Sequence, residues 1–522
     1  MNILMVAAEN DALPGGKVGG IGDVVRDIPH ALATAGHEVS VITPGYGVFS
    51  TFEGARHQGQ VAISFAGHTE IVDLYEVPSR CPQQGVRLWV LEHPLFLAGG
   101  VGKIYCNDPS DRPFATDATK FALFCSAVCQ AIMDQQFGAL DVLHLHDWHA
   151  ANVALLRAYD PRYSSLKQLH TVYTIHNLAL QGVRPIGGDS SALLSWFPNL
   201  HFQHEMINDP RVNHCVNLMR CGINLSDRVH AVSPSYANEI LQPSHPENGY
   251  FGGEGLQEDL QRAMQEGRLH GILNGCEYTE TAYKSLPLNK LLSLCEAELY
   301  KWIASSELVQ SSHLLSAHRL SSQLAIKRRK ATFLVTSVGR ITDQKVLLLK
   351  QKMADGKTAL AHILEILGDQ GLLLMLGSGD TELEQFLTQQ ASEYVNFIFL
   401  KGYSEALPDV IYSSGDLFLM PSSFEPCGIS QMLAMRAGQA CLVHGVGGLK
   451  DTVTHNETGF VFSGSDLAEQ AENMVKGFKD AIEIYQSDQD RWKLIRKKAG
   501  QQRFLWGQVG EEYIRLLYSL AQ

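Results

Sequence analysis

The sequence predicts an α/β protein made of two doubly wound domains with parallel sheets. Three observations lead to this prediction. The chain has 522 residues, short runs rich in Val, Ile and Leu alternate with helical patterns, and these runs fall into two separate series. Single hydrophobic cores stop growing beyond roughly 250–300 residues, so a chain of this length divides. Runs that are apolar throughout are typical of parallel strands with both faces covered.

The elements follow in chain order. The first series of predicted strands is NILMVAA, EVSVITP, RLWVLE, DVLHLHD, TVYTIHN and RVHAVSP. Residues 277–330 then have helical character and no strand signal. The second series is FLVTSVGR, GLLLMLGSGD, NFIFLKGY, DLFLMPSS and ACLVHG. The chain closes with an amphipathic helical pattern, in which the apolar residues are Val509, Tyr513, Leu516, Leu517 and Leu520.

Composition and charge exclude several classes of function. The net charge is -13 and no basic stripe is present, which argues against a nucleic-acid partner. No apolar run reaches the roughly 18 residues that span a bilayer, and no signal peptide precedes the first strand, so we expect a cytoplasmic protein without a membrane partner. The ten cysteines form no C-x-x-C pair, which predicts reduced thiols.

Polar residues gather where strands of the first series end, and ligands of parallel sheets bind beyond these carboxyl ends. Glu9 and Lys17 follow the first strand, Asp147 follows DVLHLHD, and His176 and Asn177 follow TVYTI. The neighbouring histidines could ligate zinc or iron. We favour hydrogen bonds to nearby loops, because two of them share one strand face and the third lies past its end. These histidines are His144, His146 and His149.

The glycine cluster KVGGIGDVV does not match the G-x-G-x-x-G fingerprint of dinucleotide-binding folds, although Gly20 and Gly22 supply part of the spacing. It is either a turn that needs positive φ or a loop that holds a phosphate. Lys17 favours the phosphate, because a cation on a flexible loop suits it.

The second series carries two cations and a carboxylate at strand ends. Arg340 and Lys345 follow FLVTSVG, and cations beside a helix N-terminus suit a diphosphate, although the pair alone could be a solvated face. Glu425 follows DLFLMP, where it could accept hydrogen bonds from sugar or ribose hydroxyls. Glycines open the helices after this strand and the next one, and they are Gly428, Gly447 and Gly448.

Together, these stretches resemble the bacterial glycogen synthases and plant starch synthases. The matching segments occur in the family's order: KVGGIGDVV, HDWHA, YTIHNLALQG, VSPSYANEI, GILNGCE, GRITDQK, GSGD, SSFEPCGISQ, GGLKDTV and FLWGQVGEEYIRLLY. The resemblance implies the GT-B architecture, in which two Rossmann-like domains face a deep cleft and the last helix returns to the N-terminal domain. We expect an acceptor-side domain at 1–270 with helix 505–522, and a donor-side domain at 271–504.

The resemblance also implies the reaction. Glucose passes from ADP-glucose to the non-reducing end of an α-1,4-glucan, either glycogen or a maltooligosaccharide, with retention of configuration and with neither cofactor nor metal. Retention through a front-side route or through a carboxylate nucleophile stays open, since Leu433 stands where related retaining enzymes often carry a second glutamate. The catalytic residues implied are Lys17, His176, Arg340, Lys345 and Glu425. The donor and substrate residues implied are Glu9, Gly19, Gly20, Asp23, Asp147, Asn274, Gly377, Tyr403, Cys427, Gly428, Ile429, Ser430, Gly447 and Gly448.

Two departures from the family pattern flank the donor site. TETAYKSLPLNK replaces an expected Trp and Pro segment, and Val346 replaces a glycine. These departures leave the charged residues of the donor site in place, so they put chain-length behaviour, acceptor choice and nucleotide preference in doubt more than activity. Two alternatives from other classes stay open: a catalytically silent glucan-binding or regulatory relative, and an NAD(P)-dependent oxidoreductase. The intact charged residues argue against the first, and the absent dinucleotide fingerprint argues against the second.

Overall fold

The computed structural model describes residues 1–278, 285–306, 308–326 and 332–519. The chain forms two compact units. The first contains Met1–Ser244, Gly252–Glu277 and the residues from Leu505 onward, and the second contains His245–Phe251 and Tyr278–Phe504. The chain thus passes from the first unit to the second at 277/278, seven residues after the boundary expected from the sequence. The expected acceptor and donor sides stay a prediction.

The first unit is built on a nine-stranded sheet. Its strands are β1 (Asn2–Val6), β2 (Glu38–Pro44), β3 (Arg56–Phe65), β4 (His68–Val77), β5 (Val86–Glu92), β6 (Val142–His146), β7 (His170–Ile175), β10 (Arg228–Ala231) and β11 (Leu269–Gly271), while β8 (Arg184–Pro185) and β9 (Cys215–Val216) pair separately. The order is β11-β10-β7-β6-β1-β2-β5-β4-β3. All neighbours are parallel except at the β5-β4-β3 edge. Every residue of β6 and β7 is buried, as expected for strands covered on both faces.

Helices of the first unit follow the strand ends. They are α1 (Gly20–Thr34), α2 (Ala115–Met133), α3 (Asp147–Tyr159), α4 (Leu193–Trp196), α5 (His204–Ile207), α6 (Leu218–Leu225), α7 (Pro234–Glu239) and α8 (Gln257–Gln265). The α2 helix buries 15 of its 19 residues, because its sequence is apolar or small on nearly all sides.

The second unit has a six-stranded, fully parallel sheet. Its strands are β12 (Phe333–Val338), β13 (Gly371–Gly377), β14 (Phe397–Lys401), β15 (Leu417–Met420), β16 (Ala440–His444) and β17 (Gly459–Phe462). The order β14-β13-β12-β15-β16-β17 reverses direction between β12 and β15. This is the strand order of a doubly wound dinucleotide-type fold, and its switch point is where such folds bind ligands.

Helices cover both faces of the second sheet. They are α9 (Leu288–Ser305), α10 (Ser311–Leu324), α11 (Asp343–Lys350), α12 (Ala359–Leu367), α13 (Thr381–Glu393), α14 (Leu407–Ser414), α15 (Ser430–Arg436), α16 (Gly447–Thr452), α17 (Leu467–Ser487) and α18 (Gln489–Gln501). Leucines of α9, among them Leu291, Leu292 and Leu299, pack with β13 and β14 on one face. Residues 279–284, 307 and 327–330 of the expected helical segment lie outside the described residues.

The end of the chain returns to the first unit. Helix α19 (Trp506–Glu512) runs into a π-helical turn at Tyr513–Tyr518. Gly510 of α19 packs closely on Ala31 of α1. Leu520 of the predicted amphipathic pattern lies outside the described residues.

All eleven strands predicted from the sequence are present, and the α/β prediction with parallel sheets is confirmed. The sequence missed β3, β4, β8, β9, β11 and β17. All ten cysteines are free thiols, and eight are buried. No helix in the described ranges is both long and apolar enough to cross a membrane.

Candidate active site

Glu9 shapes the glycine loop between β1 and α1. Its Oε2 accepts hydrogen bonds from the backbone N–H groups of Val18, at 2.8 Å, and Gly19, at 2.6 Å. Its Oε1 accepts one from the Tyr105 hydroxyl at 2.7 Å. Both carboxylate oxygens are therefore engaged within the protein, and Glu9 is 2% exposed. The contacts make Glu9 the anchor of the loop.

The glycines of this loop fall into two groups. Gly15 has φ +80°, and a Cβ on Gly16 would lie 2.3 Å from the carbonyl oxygen of Asn10, so the turn itself requires both. Gly19 and Gly20 do not have positive φ. A Cβ on Gly19 would meet the Glu9 carboxylate at an ordinary 3.5 Å, and one on Gly20 would meet nothing within 4 Å. The local fold thus leaves Gly19 and Gly20 unexplained.

Lys17 is paired with the carboxylate of Asp23. Lys17 Nζ lies 2.6 Å from Asp23 Oδ1, and the Lys17 side chain is 39% exposed. Arg26 also approaches Asp23, at 3.8 Å, and bonds to Asp11 and Asp27. Burial raises the pKa of Asp23, and Lys17 opposes that effect. The cation of this loop is therefore held close to α1.

Asp147 begins α3 in a strained conformation. Its φ is +54°, a left-handed value that non-glycine residues rarely adopt. Its Oδ1 accepts a hydrogen bond from the His176 backbone N–H at 2.7 Å. Desolvation raises the pKa of Asp147 to about 8, although the backbone N–H groups of His176 and Asn177 oppose the shift. The end of β6 is in this way tied to the residues that follow β7.

Buried histidines line the ends of β6, β7 and β10. His146 Nδ1 lies 2.9 Å from His176 Nε2, and the His146 ring stacks on that of His144 with centroids 4.5 Å apart. His144 also bonds to the hydroxyl of Tyr518 at 2.7 Å and to that of Thr174 at 2.6 Å. Desolvation lowers the pKa of all three rings well below 6.5, so they are neutral at pH 7.

The histidines His144, His146 and His149 do not converge on one point. His149 lies beyond the strand, where its ring is 4.3 Å from that of Trp148 and 5.3 Å from that of Tyr105. Within the described ranges, no three His, Cys, Asp or Glu side chains are placed to share a metal ion. Hydrogen bonds between strand ends and packing of rings account for their positions.

The second unit brings Arg340, Lys345 and Glu425 to the switch point of its sheet. Lys345 Nζ forms a short ion pair with Glu425 Oε2, and the Ser422 hydroxyl donates to the same oxygen at 2.9 Å. Arg340 is exposed and takes part in no ion pair with a described residue. A pocket opens here, and its lining residues are Ser337, Val338, Gly339, Arg340, Ile341, Lys345, Val346, Met375, Met420 and Pro421.

The backbone around Glu425 is fixed by the two glycine-containing helix starts. Gly428 has φ +75° and Gly447 has φ +44°, values that favour glycine. The Gly448 N–H donates to the Glu425 carbonyl at 3.1 Å. The Gln431 amide donates to the carbonyls of Cys427, at 3.2 Å, and Gly428, at 2.9 Å.

Ile429 is the N-cap residue of α15, and Ser430 is its first residue. The Tyr412 hydroxyl donates to Ser430 Oγ at 3.1 Å. The residues predicted to hold the donor glucose therefore form one bonded loop, from Glu425 to Ser430.

The remaining predicted residues lie apart from this loop. Gly377 ends β13, where a Cβ would lie 2.0 Å from the Gly339 carbonyl oxygen, so close packing explains it. Tyr403 follows β14 and is 75% exposed. Asn274 is 4% exposed and belongs to the first unit, rather than to the C-terminal domain in which the sequence placed it.

Several residues that support these side chains were not found from the sequence. Tyr105 is 96 positions from its partner Glu9, and Tyr518 is 374 positions from His144, so no local pattern connects them. Ser422 is different, because it lies three residues before Glu425 in the same loop. Arg26 was likewise within reach, since it lies three residues after Asp23 on a predicted helix.

The chain is similar to known proteins over its whole length. Residues 2–262 match the starch synthase catalytic domain family, and residues 324–497 match glycosyl transferases group 1. Glycogen synthases from Streptococcus sanguinis (strain SK36) and Streptococcus pneumoniae (strain Hungary19A-6) are each 31% identical, with 100% of both chains covered.

Solved structures show the same similarity. The catalytic domain of starch synthase IV from Arabidopsis thaliana, bound to ADP and acarbose, has a TM-score of 0.73 at 25% identity, covering 99% of this chain and 98% of that one. Sucrose-phosphate synthase from Thermosynechococcus elongatus shares the fold, with a TM-score of 0.54 at 16% identity and coverage of 99% and 98%. The resemblance inferred from the sequence is confirmed, and the oxidoreductase alternative is removed. The chain belongs to the glycogen and starch synthase family and is a glycosyltransferase of glycogen or starch synthesis.

Proposed function

We propose that this protein elongates α-1,4-glucans by transferring glucose from ADP-glucose with retention of configuration. The observation that carries the proposal is the pair of cations after β12. Arg340 is exposed, and Arg340 and Lys345 both line a pocket at the switch point of a doubly wound sheet. In the transition state, the C1–O bond to the diphosphate breaks and negative charge grows on the leaving group. Cations at that point lower the barrier.

Lys345 changes partner in this proposal. Without donor, it is neutralised by Glu425, whose other bond comes from Ser422. A bound diphosphate competes for the Lys345 ammonium and frees one Glu425 oxygen for a hydroxyl of the transferred glucose. The loop from Cys427 to Ser430, with Gly447 and Gly448 packed against it, supplies the backbone groups around that glucose.

The donor base stacks on Tyr403, which is 75% exposed and thus available. ADP rather than UDP is supported by the starch synthase IV structure, which holds ADP. Gly377 keeps the ends of β13 and β12 close together at the same edge of the sheet.

The first unit carries the acceptor side in this proposal. Neither the turn nor packing requires glycine at Gly19 or Gly20, and the open space beside Gly20 would be filled by a ligand or its phosphates. Lys17, which is paired with Asp23, contacts the ligand in that space. Asp147 and His176 face the transferred glucose, and Asn274, whose buried Oδ1 has no partner among the described residues, is a further candidate contact.

A donor comparison tests the proposal. The purified protein is incubated with radiolabelled ADP-glucose or UDP-glucose and with glycogen or a maltooligosaccharide as acceptor. We expect incorporation from ADP-glucose, and proton NMR of the product should show new α-1,4 linkages. A preference for UDP-glucose would refute the donor assignment. Extension with neither donor would refute the catalytic function and favour the silent glucan-binding relative.

A further inference from the structure

We infer that His146 is a positioning residue that holds His176 in the tautomer with its proton on Nδ1. His176 then presents a hydrogen-bond donor, and not an acceptor, to an oxygen of the bound sugar. This inference rests on the proposed function, which places His176 at the transferred glucose. It concerns a residue that contacts no substrate in that proposal and acts through its neighbour.

The two imidazoles share a single proton. His146 Nδ1 and His176 Nε2 are 2.9 Å apart, and their rings are inclined by 30° with centroids 5.2 Å apart. Two ring nitrogens at this distance need one N–H donor and one bare acceptor. Both rings are neutral, because desolvation lowers the pKa of each well below 6.5. Only two arrangements of the proton are therefore possible.

In the first arrangement, His176 donates from Nε2 to His146 Nδ1. The proton of His146 must then sit on its Nε2. That atom is buried, His146 is 0% exposed, and Nε2 has no hydrogen-bond partner among the described residues. The ring of His144 stacks on one face of the His146 ring, with centroids 4.5 Å apart, and provides no hydrogen-bond acceptor for Nε2 at the ring edge. This arrangement leaves a buried N–H without an acceptor, which native proteins rarely contain.

In the second arrangement, His146 donates from Nδ1 to His176 Nε2. The bare nitrogen of His146 is then the buried Nε2, which carries no hydrogen. His176 must carry its own proton on Nδ1, because its Nε2 is the acceptor. The second arrangement is the one that avoids an orphaned buried donor, and it fixes the tautomer of both rings.

The backbone orients the resulting donor. The backbone N–H of His176 donates to Asp147 Oδ1 at 2.7 Å, and the ring Nε2 of His176 accepts from His146. The residue is therefore fixed at two points. His176 Nδ1 has no partner among the described residues. A sugar hydroxyl oxygen that accepts from this N–H keeps its own hydrogen free to donate elsewhere. His146 thereby selects ligands that offer an oxygen at this position.

Matched amide substitutions separate the two arrangements. In His146→Asn, the amide nitrogen takes the place of Nδ1 and can still donate to His176. In His146→Gln, it takes the place of Nε2 and cannot. With ADP-glucose and glycogen, we expect kcat/KM of the Asn variant to stay within about threefold of the wild type. The Gln variant should lose at least about tenfold, the loss expected for about 1.4 kcal/mol of transition-state stabilisation. Equal losses in the two variants would overturn the inference.

A spectroscopic measurement tests the tautomer without using activity. The protein is labelled with 15N-histidine, and long-range proton–nitrogen spectra are recorded, with His176→Gln used to assign the His176 signals. We expect His176 to be protonated on Nδ1 and His146 also on Nδ1. Protonation of His176 on Nε2 would overturn the inference, even if both His146 variants fold poorly. A wild type that shows the expected tautomer but extends no glucan would refute the proposed function alone.

Discussion

Acidification should unfold the first unit at a higher pH than the second. The first unit buries five histidines whose pKa values burial lowers from 6.5, namely His144, His146, His149, His176 and His230. In the part of the second unit that the structure describes, His444 is the corresponding group, with a pKa lowered to about 4. The two units therefore differ in the number of buried histidines that are neutral in the folded state and become protonated on unfolding at low pH.

The sign and the size follow from proton linkage. Below pH 6.5, the unfolded chain binds protons that the folded rings reject, so the free energy of unfolding falls as the pH falls. Each such proton changes it by about 1.4 kcal/mol per pH unit. For His230, whose pKa is lowered to about 4, the loss between pH 6.5 and pH 4 is roughly 3 kcal/mol.

Asp147 acts in the opposite direction. Its pKa is raised to about 8, so the folded state holds a proton that the unfolded state releases, and falling pH favours folding through this group. Its effect on the free energy of unfolding offsets the effect of about one histidine. Asp23 of the same unit, whose pKa burial also raises, acts in the same direction as Asp147. Domains are stable by only about 5–15 kcal/mol, so the histidines that remain unopposed remove a large part of the stability of the first unit.

Hydrogen exchange followed by mass spectrometry measures both units at once. Opening free energies are compared for peptides from β6 and β7 and from β13, between about pH 7 and pH 4.5, after correction for intrinsic exchange. We expect the β6 and β7 values to fall several times more steeply. As a control, His230→Gln removes one titrating ring and should reduce that slope by about 1.4 kcal/mol per pH unit. Equal slopes for the two units would show that the buried histidines do not set the acid stability of the first unit.

Four substitutions test the candidate site. The Cβ that Gly20→Ala adds has no protein atom within 4 Å, so the urea midpoint of unfolding should not change. Glucan extension should drop at least about tenfold if a ligand occupies this space, and normal activity would mean that none does. Lys345→Ala and Glu425→Ala should each lower kcat about 10²- to 10³-fold with unchanged circular dichroism, and near-normal rates would show that the site is misplaced. Trp302→Ala removes the ring that packs against the turn carrying Tyr403, so KM for ADP-glucose should rise more than kcat falls. A fall in kcat alone would contradict that role.

The sequence was informative where burial is complete. The β6 and β7 runs are buried at every position, and such apolar runs are visible without a structure. The β3 and β4 strands form an antiparallel pair at the sheet edge, and half or more of their residues are at least partly exposed. Their runs are interrupted by polar residues such as Gln60 and Asp73, so they lack the signal that revealed the parallel strands.

The same contrast holds for the candidate site. Arg340, Lys345 and Glu425 could be found because they directly follow apolar runs, and strand ends are where parallel sheets bind ligands. The role of Glu9 as the anchor of the glycine loop depends on Tyr105, which the fold brings from 96 positions away. The glycines were ambiguous for a related reason. Only the backbone angles and neighbours distinguish Gly16, which packing requires, from Gly20, which it does not.

The π-helical turn at Tyr513–Tyr518 has a consequence for biosynthesis. Tyr518 bonds to His144, and the carbonyl of Leu517 accepts from His170, yet both belong to a segment that a ribosome makes after the entire second unit. At about 5–20 residues per second, the gap between Glu277 and Leu505 lasts on the order of tens of seconds. During that interval the nascent first unit has strands β6 and β7 but lacks Tyr518, which bonds to His144 of β6, and Leu517, whose carbonyl bonds to His170 of β7. The second unit consists of His245–Phe251 and of Tyr278–Phe504. All of its strands are therefore synthesised before the first unit is complete. The first unit, most of which is synthesised first, can therefore complete these contacts only after the last segment of the chain has been made.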